Sequence, residues 1–274
     1  MAKRKAVKQV VVKKKSTAKR QAWKVWVPVT ILAVLLIGNG WFVYQKWKAD
    51  QQEVVAKRTN YEAFGITMPA DYGIHGIDVS SYQGAIYWPG VKQMKADTSA
   101  LSFAFIKATE GLNDVDKRFA YNWAEARKAG MIRGAYHYFL ATKSGKKQAQ
   151  HFLQQVSLQS GDLPPVVDIE KLHRVPRALM QKRLKEWLDE VEMATGRKPI
   201  IYTFADFYEK ELGPAFNAYP LWVAHYFQPD RPRINRPWSF WQHSDQGQVS
   251  GITMRVDFNV FAGNAEELKQ LLLP

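Results

Sequence analysis

The chain has 274 residues, of which 46% are hydrophobic and 23% are charged. This composition can supply a folded core, and it excludes a disordered or collagen-like chain. The absence of cysteine excludes disulfides, thiolate zinc sites, iron–sulfur clusters and a cysteine nucleophile. The formal net charge of +14 is concentrated at the N-terminus, because residues 1–24 contain ten Lys/Arg residues and no acidic residue.

The first predicted element is a single transmembrane helix. Residues 25–45 contain no charged side chain, and a helix of that length covers the hydrocarbon core of a bilayer, which is ~30 Å thick. Trp23 and Trp26 flank the run at one end and Trp41 and Trp47 at the other, as in aromatic belts at membrane interfaces. A cleaved signal peptide is the main alternative. Its apolar region is usually shorter and is followed by a small-residue cleavage site, and no such site follows this run, so the sequence predicts an uncleaved anchor.

The basic tail predicts the orientation of this helix. The positive-inside rule places residues 1–24 in the cytoplasm and everything after Trp47 outside the inner membrane. The same charges could bind nucleic acid through phosphates, but beside a membrane span they need no such ligand. The predicted location is therefore the inner membrane, single-pass, with a periplasmic folded domain. The predicted divisions are a tail at 1–24, a transmembrane helix at 25–45, a stalk at 46–70 and a folded domain at 71–274.

The folded domain contains eight short segments rich in β-formers. They are Ile74–Val79, Phe103–Ala108, Gly134–Phe139, Val166–Glu170, Pro199–Phe204, Leu221–Tyr226, Phe240–Ser244 and Val256–Phe261. Helical patterns lie between the first five, and the clearest covers residues 177–194 and stops at Gly196. Three prolines forbid a helix over 228–239, and 245–255 is polar. This alternation predicts an α/β fold, an irregular TIM-like barrel of eight strands, closed by a helix at 264–273.

Active sites of such barrels lie at the carboxyl ends of the strands. Several polar residues occur at or just past the ends of the predicted segments: Asp78, Lys107, Glu110, His137, Asp168, Glu170, Tyr202, Gln242 and Asp257. The spacing puts Asp168 and Glu170 on one strand face, and barrel closure makes Asp78 and Asp257 neighbours. Repulsion and burial raise one carboxyl pKa and leave another group ionised, as glycosidic bond cleavage requires. Alternatively, each acid is a solvated cap or a salt-bridge partner.

Aromatic residues crowd the same segments: Trp88, Tyr136, Tyr138, Tyr202, Trp222, Tyr226, Trp238 and Trp241. They fit a carbohydrate-binding groove, although a structural core is an alternative for many of them. The six histidines fit no metal-binding spacing such as H-E-x-x-H. No nucleophile elbow or phosphate loop is present either. The sequence therefore predicts neither a metal nor a cofactor.

Seven motifs, in order, resemble the glycoside hydrolase family 25 lysozymes, which are cell-wall muramidases. They are Gly76–Ser80, Phe105–Gly111, Gly134–Phe139, Val167–Glu170, Leu221–Ala224, Trp241–Ser244 and Val256–Asn259. The resemblance implies an irregular (β/α)5(β)3 barrel that cleaves the β-1,4 bond after N-acetylmuramic acid in peptidoglycan.

The resemblance also implies roles for individual residues. Glu170 would be the general acid, Asp168 would hold the substrate's N-acetyl group, and Asp78 and Asp257 would line the same site. The residues expected to bind substrate are Lys107, Glu110, His137, Tyr138, Tyr202, Trp222, Trp241 and Gln242.

Two functions are compatible with these observations. The first is a membrane-anchored muramidase whose partners are peptidoglycan strands and the membrane, with no nucleic acid. The second is a non-catalytic peptidoglycan-binding or scaffold module that keeps the groove. The presence of all four acids favours the enzyme, because a binding module has no need of a protonated glutamate.

Overall fold

The computed structural model describes residues 35–48, 58–96 and 99–274. The chain divides into two compact units, Met1–Glu53 and Val54–Pro274. In the first unit the described residues form one helix, α1, over 35–48. In the second unit they form a barrel and a small hairpin.

The predicted transmembrane helix at 25–45 is wrong, and the predicted fold class is corrected accordingly. None of the helices in the described residues is both long enough and apolar enough to span a bilayer. The described part of α1 includes Lys46 and Lys48, which lie beyond the charge-free run. The predicted tail at 1–24 and the remainder of the predicted helix at 25–34 lie outside the described residues.

The strands of the second unit are Arg58–Tyr61 (β1), Ile66–Pro69 (β2), His75–Val79 (β3), Lys95–Ala96 (β4), Ser99–Glu110 (β5), Asp114–Val115 (β6), Ile132–Tyr138 (β7), Val166–Asp168 (β8), Ile200–Phe204 (β9), Leu221–Ala224 (β10), Phe240–Gly247 (β11) and Val256–Phe261 (β12). Its helices are Trp88–Gln93 (α2), Phe119–Lys128 (α3), Gly145–Gln155 (α4), Arg177–Thr195 (α5), Ala205–Phe207 (α6) and Ala265–Leu271 (α7). A π-helical turn, Tyr208–Leu212, continues α6.

Eight of these strands close into a ring in the order β3, β5, β7, β8, β9, β10, β11 and β12. All neighbours in the ring are parallel except β12, which runs antiparallel to both β11 and β3. The first and last strands of the barrel therefore meet. Because β12 is reversed, its beginning lies at the same rim as the carboxyl ends of the other seven strands.

Helices follow each of the first five barrel strands, whereas β10 and β11 are followed by loops. Helix α5 shows how the sequence specifies these bounds. Its buried face carries Met180, Leu184 and Leu188 at helical spacing. Gly196 then adopts a left-handed conformation, with φ 67°, and its N–H bonds the Glu192 carbonyl, so the helix ends where glycine permits it.

The barrel interior is packed by large aromatic rings below a polar layer at the rim. Phe103 and Phe105 from β5 lie against Phe240 and Trp222. Glycines on the neighbouring strands leave room for these rings, because a Cβ on Gly76 would lie 2.4 Å from the ring of Phe103. These rings fill the barrel interior below the rim.

The hairpin of β1 and β2 falls within the segment predicted as a stalk. Its two strands pair antiparallel from Arg58↔Pro69 to Tyr61↔Ile66. Phe64 and Met68 are fully buried in the main core, and the ring of Phe64 packs 5.2 Å from that of Phe258 on β12. This hairpin is thus part of the compact unit that contains the barrel.

Candidate active site

A cavity of about 190 Å³ opens at the rim, between the ends of the barrel strands. Its lining residues are Asp78, Tyr136, Asp168, Glu170, Tyr202, Phe204, Trp222, Tyr226, Gln242 and Asp257. All four predicted acids therefore converge in one cavity. A larger cavity of about 650 Å³ lies between Met94 and the loop that joins β11 to β12, and no carboxylate lines it.

Asp78 is held in place by two amide donors. The side-chain N–H groups of Gln242 and Asn259 each donate to Asp78 Oδ2 over 2.8 Å. Asn259 is fixed in turn, because Trp222 Nε1 donates to its Oδ1 over 2.7 Å. These side chains are almost completely buried, so the position of the Asp78 carboxylate is determined by the barrel interior.

The orientation of Gln242 is fixed by two tyrosines. The hydroxyls of Tyr202 and Tyr226 donate to Gln242 Oε1 over 2.8 Å and 2.7 Å. Because that oxygen accepts both hydroxyls, the amide nitrogen must face Asp78. Tyr202, on β9, and Tyr226, just after β10, are in this way tied to β3 through a single glutamine.

Asp78 and Asp257 are direct partners across the β3–β12 pair. Burial raises the pKa of Asp78 to about 6, although hydrogen bonds from Asn259 and Gln242 oppose the shift. Burial and the charge of Asp78 raise the pKa of Asp257 to about 9. At neutral pH, Asp257 therefore keeps its proton and can donate it to the Asp78 carboxylate.

This pair predicts a gain in stability on replacing Asp257 with asparagine. The folded pKa lies above the unfolded value near 4, so the folded state must retain a proton that the unfolded chain releases at neutral pH. This requirement lowers the free energy of unfolding. The loss is absent near pH 3 and grows as the pH rises from about 4 towards 9. Asp257→Asn should raise the free energy of unfolding at pH 7 by about 2–4 kcal/mol.

Urea unfolding at pH 3 and pH 7 measures this effect, with Asp189→Asn on the exposed face of α5 as the control. The control should change stability by no more than a few tenths of a kcal/mol at either pH. A destabilised Asp257→Asn variant at pH 7 would show that Asp257 is ionised in the folded protein.

Asp168 and Glu170 form the second carboxyl pair. Strand β8 ends at Asp168, and the Ile169 N–H donates to the Tyr202 carbonyl over 3.0 Å, which keeps the chain extended as far as Glu170. Asp168 is buried, and its Oδ1 has no hydrogen-bond partner among the described residues. Glu170 is only partly buried and is the more accessible of the two to a substrate.

Burial is the main cause that raises the pKa of both carboxyls. The charge of Glu170 further raises the pKa of Asp168, whereas the Lys107 ammonium lowers the pKa of each. Both shifts favour the protonated forms, and repulsion between the two carboxylates favours one proton shared by the pair. A carboxyl group that retains its proton is what a general acid needs.

Three of the predicted substrate-binding residues form a group at the rim on β5 and β7. Lys107 Nζ lies 2.7 Å from Glu110 Oε2 and 5.1 Å from the centre of the Tyr138 ring. The three side chains are partly exposed, so they can be reached by a ligand that extends beyond the cavity.

Two other predicted substrate-binding residues are not brought to the cavity. His137 faces the outer helices, where its ring stacks on Trp187 with centroids 5.9 Å apart and Thr109 Oγ1 lies 2.8 Å from its Nδ1. Burial lowers its pKa to about 3, so it is a neutral core residue. Trp241 is also fully buried and donates from Nε1 to the His225 carbonyl over 2.9 Å.

Asn259 and Phe204 are site residues that the sequence prediction missed. Asn259 lies two residues beyond Asp257 on β12 and points into the same interior. The strand period of two could have indicated it. Phe204 is the last residue of β9, two positions after Tyr202, and the same rule applies.

Comparisons with known proteins agree with this geometry. The model of the family described as "Glycosyl hydrolases family 25" matches residues 77–252. The chain is 50% identical over 208 residues to YegX of Escherichia coli K12, a match that covers 76% of each. It is 39% identical over 222 residues to Lysozyme M1 of Streptomyces globisporus, which covers 74% of this chain and 73% of that protein.

A solved structure is similar to this chain as well. The crystal structure of a lysozyme from Streptomyces coelicolor superposes with a TM-score of 0.65 at 36% identity, covering 73% of this chain and 96% of that one. With the family match over more than half of its length, the chain belongs to glycosyl hydrolase family 25 and is a glycoside hydrolase.

Proposed function

We propose that this enzyme hydrolyses the β-1,4 bond between N-acetylmuramic acid and N-acetylglucosamine in peptidoglycan. Its place of action would be the outer side of the cytoplasmic membrane, where this polymer lies. The similarity to lysozymes supports the substrate. The observation that carries the proposal is the convergence of four carboxyl groups with raised pKa values in one cavity at the rim of the barrel.

In the proposed first step, Glu170 donates its proton to the glycosidic oxygen as the bond to the anomeric carbon breaks. The acetamido oxygen of the muramic acid attacks that carbon and forms an oxazolinium ring. Asp168 accepts a hydrogen bond from the acetamido N–H through Oδ1, the oxygen that has no partner among the described residues. A donor to Asp168 favours its ionised form, so substrate binding moves the shared proton to Glu170.

In the second step, Glu170 is the base. It takes a proton from a water molecule, which attacks the anomeric carbon and opens the ring. The bond to the acetamido oxygen breaks, the N-acetyl group is restored, and Glu170 recovers its proton. The two displacements at one carbon leave its configuration unchanged overall. Asp78 and Asp257 would line the floor beneath the sugar, with the charge on Asp78 stabilising the developing cation.

The test is a digestion of purified peptidoglycan with the full chain, followed by borohydride reduction of the products. We expect each new reducing end to be muramic acid, which reduction converts into muramicitol. Glucosaminitol instead would assign cleavage to the other glycosidic bond of the repeat. Binding of the polymer without new reducing ends would favour the peptidoglycan-binding module.

A further inference from the structure

Phe227 is an exposed aromatic residue beside the active-site cavity. It follows Tyr226, which lines the cavity at the end of β10, and the two ring centroids lie 6.5 Å apart. Its side chain is 86% exposed, the largest fraction among the large hydrophobic side chains of the described residues. Water surrounds a ring that most folded proteins would bury.

The backbone of Phe227 is equally unusual. Its φ is +59°, in the left-handed region, which glycine and asparagine adopt readily and bulky residues rarely do. Both the exposure of the ring and the backbone conformation therefore oppose the stability of the free protein. Strain of this kind is commonly kept where a side chain has a role in binding.

Aromatic rings form a continuous row from the cavity to Phe227. Phe204 lines the cavity wall, its ring centroid is 6.4 Å from that of Tyr226, and Phe227 is next in the row. A sugar presents C–H groups on the faces of its ring, which pack well on an aromatic surface. The row is thus a surface along which successive sugars of one strand can lie.

We propose that Phe227 is a stacking platform for a pyranose ring of the glycan strand, one sugar removed from the scissile bond. The inference rests on the proposed function and adds a determinant of substrate affinity at the rim. The sugar covers the exposed ring, and the apolar area removed from water stabilises the complex. The left-handed backbone turns the side chain away from the protein and keeps it available to the strand.

Two substitutions test the aromatic ring and its strained backbone. Phe227→Gly removes both, whereas Phe227→Trp keeps an aromatic face. Met193, near the end of α5 and not among the residues that line the cavity, is 76% exposed, and Met193→Ala is the matched control. Each full-length variant is assayed on soluble glycan strands from which the stem peptides have been removed.

For Phe227→Gly we expect KM to rise roughly 5- to 20-fold, with kcat within about twofold of the wild type, because stacking binds substrate without touching the reacting atoms. Its Tm should increase by about 2–4 °C, since the strained conformation suits glycine. Phe227→Trp and Met193→Ala should keep the wild-type KM. Higher stability with weaker binding would not result from simple loss of packing.

An unchanged KM for Phe227→Gly on strands that the wild type cleaves would overturn the platform. So would a rise in KM that appears only on strands carrying stem peptides, since the ring would then contact the peptide. If the wild type fails to cleave, the proposed function fails. Calorimetric titration of the same strands would then decide the question, because equal Kd values for wild type and Phe227→Gly would refute stacking.

Discussion

Replacing Glu170 with glutamine is expected to lower kcat/KM on peptidoglycan by ~10²–10⁴-fold, which is the contribution that general acid catalysis typically makes. Glutamine keeps the shape of the side chain and can still form hydrogen bonds, but it cannot give a proton to the leaving oxygen. Glu170 is partly exposed at the mouth of the cavity and makes no buried ion pair in the described structure. The Tm should therefore change little.

The measurement is the initial rate of release of reducing ends, together with a thermal melt of each variant. Asp189→Asn removes an exposed carboxylate from α5 and should keep full activity. Near-normal activity of Glu170→Gln would mean that another carboxyl donates the proton, and Asp257, whose pKa is raised to about 9, would be the next candidate.

Removing the acetamido group from the substrate should have an effect as large as removing the acid. In the proposed mechanism that group supplies the nucleophile, so peptidoglycan de-N-acetylated on muramic acid should be cleaved at least ~10²-fold more slowly. Asp168 is suited to this route, because its Oδ1 has no partner among the described residues and is available to accept a hydrogen bond from the acetamido N–H.

Re-acetylation of the same wall preparation is the control, and it should restore the rate. Product stereochemistry, followed by NMR, should show net retention without a covalent sugar–enzyme adduct. Equal rates on both walls, or an adduct trapped on Asp78, Asp168 or Asp257, would refute acetamido participation. Inverted products would instead indicate direct attack by water with a carboxylate as its base.

The barrel and the carboxyl cluster could be predicted because both depend on local pattern. Each of the eight predicted segments corresponds to a barrel strand. Asp78 and Asp168 lie at or next to the carboxyl ends of their strands, and Gln242 lines the same cavity from β11. The prediction of a glycoside hydrolase is confirmed by membership of the family. The division of the chain at residues 24, 45 and 70 and the roles of single site residues remain predictions.

His137 and Trp241, which were expected to bind substrate, lie outside the cavity because of the strand faces that carry them. On β7, Tyr136 lines the cavity, so the period of two turns His137 outward against Trp187. On β11, Gln242 points inward and Trp241 therefore points away. His137 and Trp241 were assigned to the site because they are next to site residues in the sequence. Neighbouring residues of a strand point to opposite faces, so these two side chains point away from the cavity.

The transmembrane helix was predicted from a charge-free run, and such a run records hydrophobicity but not the bounds of a helix. In the described residues, helix α1 continues past the run to include Lys46 and Lys48, and no helix there is both long enough and apolar enough to span a membrane.

The antiparallel closure of the barrel also governs when the enzyme can first become active. Asp78 accepts one of its two amide hydrogen bonds from Asn259, a residue 181 positions later in the chain. Contacts that span so much sequence form late, because the intervening chain must first be ordered. Until β12 has left the ribosome and docked, β3 and β11 are open edges and the floor of the cavity is missing. A hydrolase built in this way remains inactive throughout its own synthesis, and a chain cut short before Val256 would be prone to edge-to-edge aggregation.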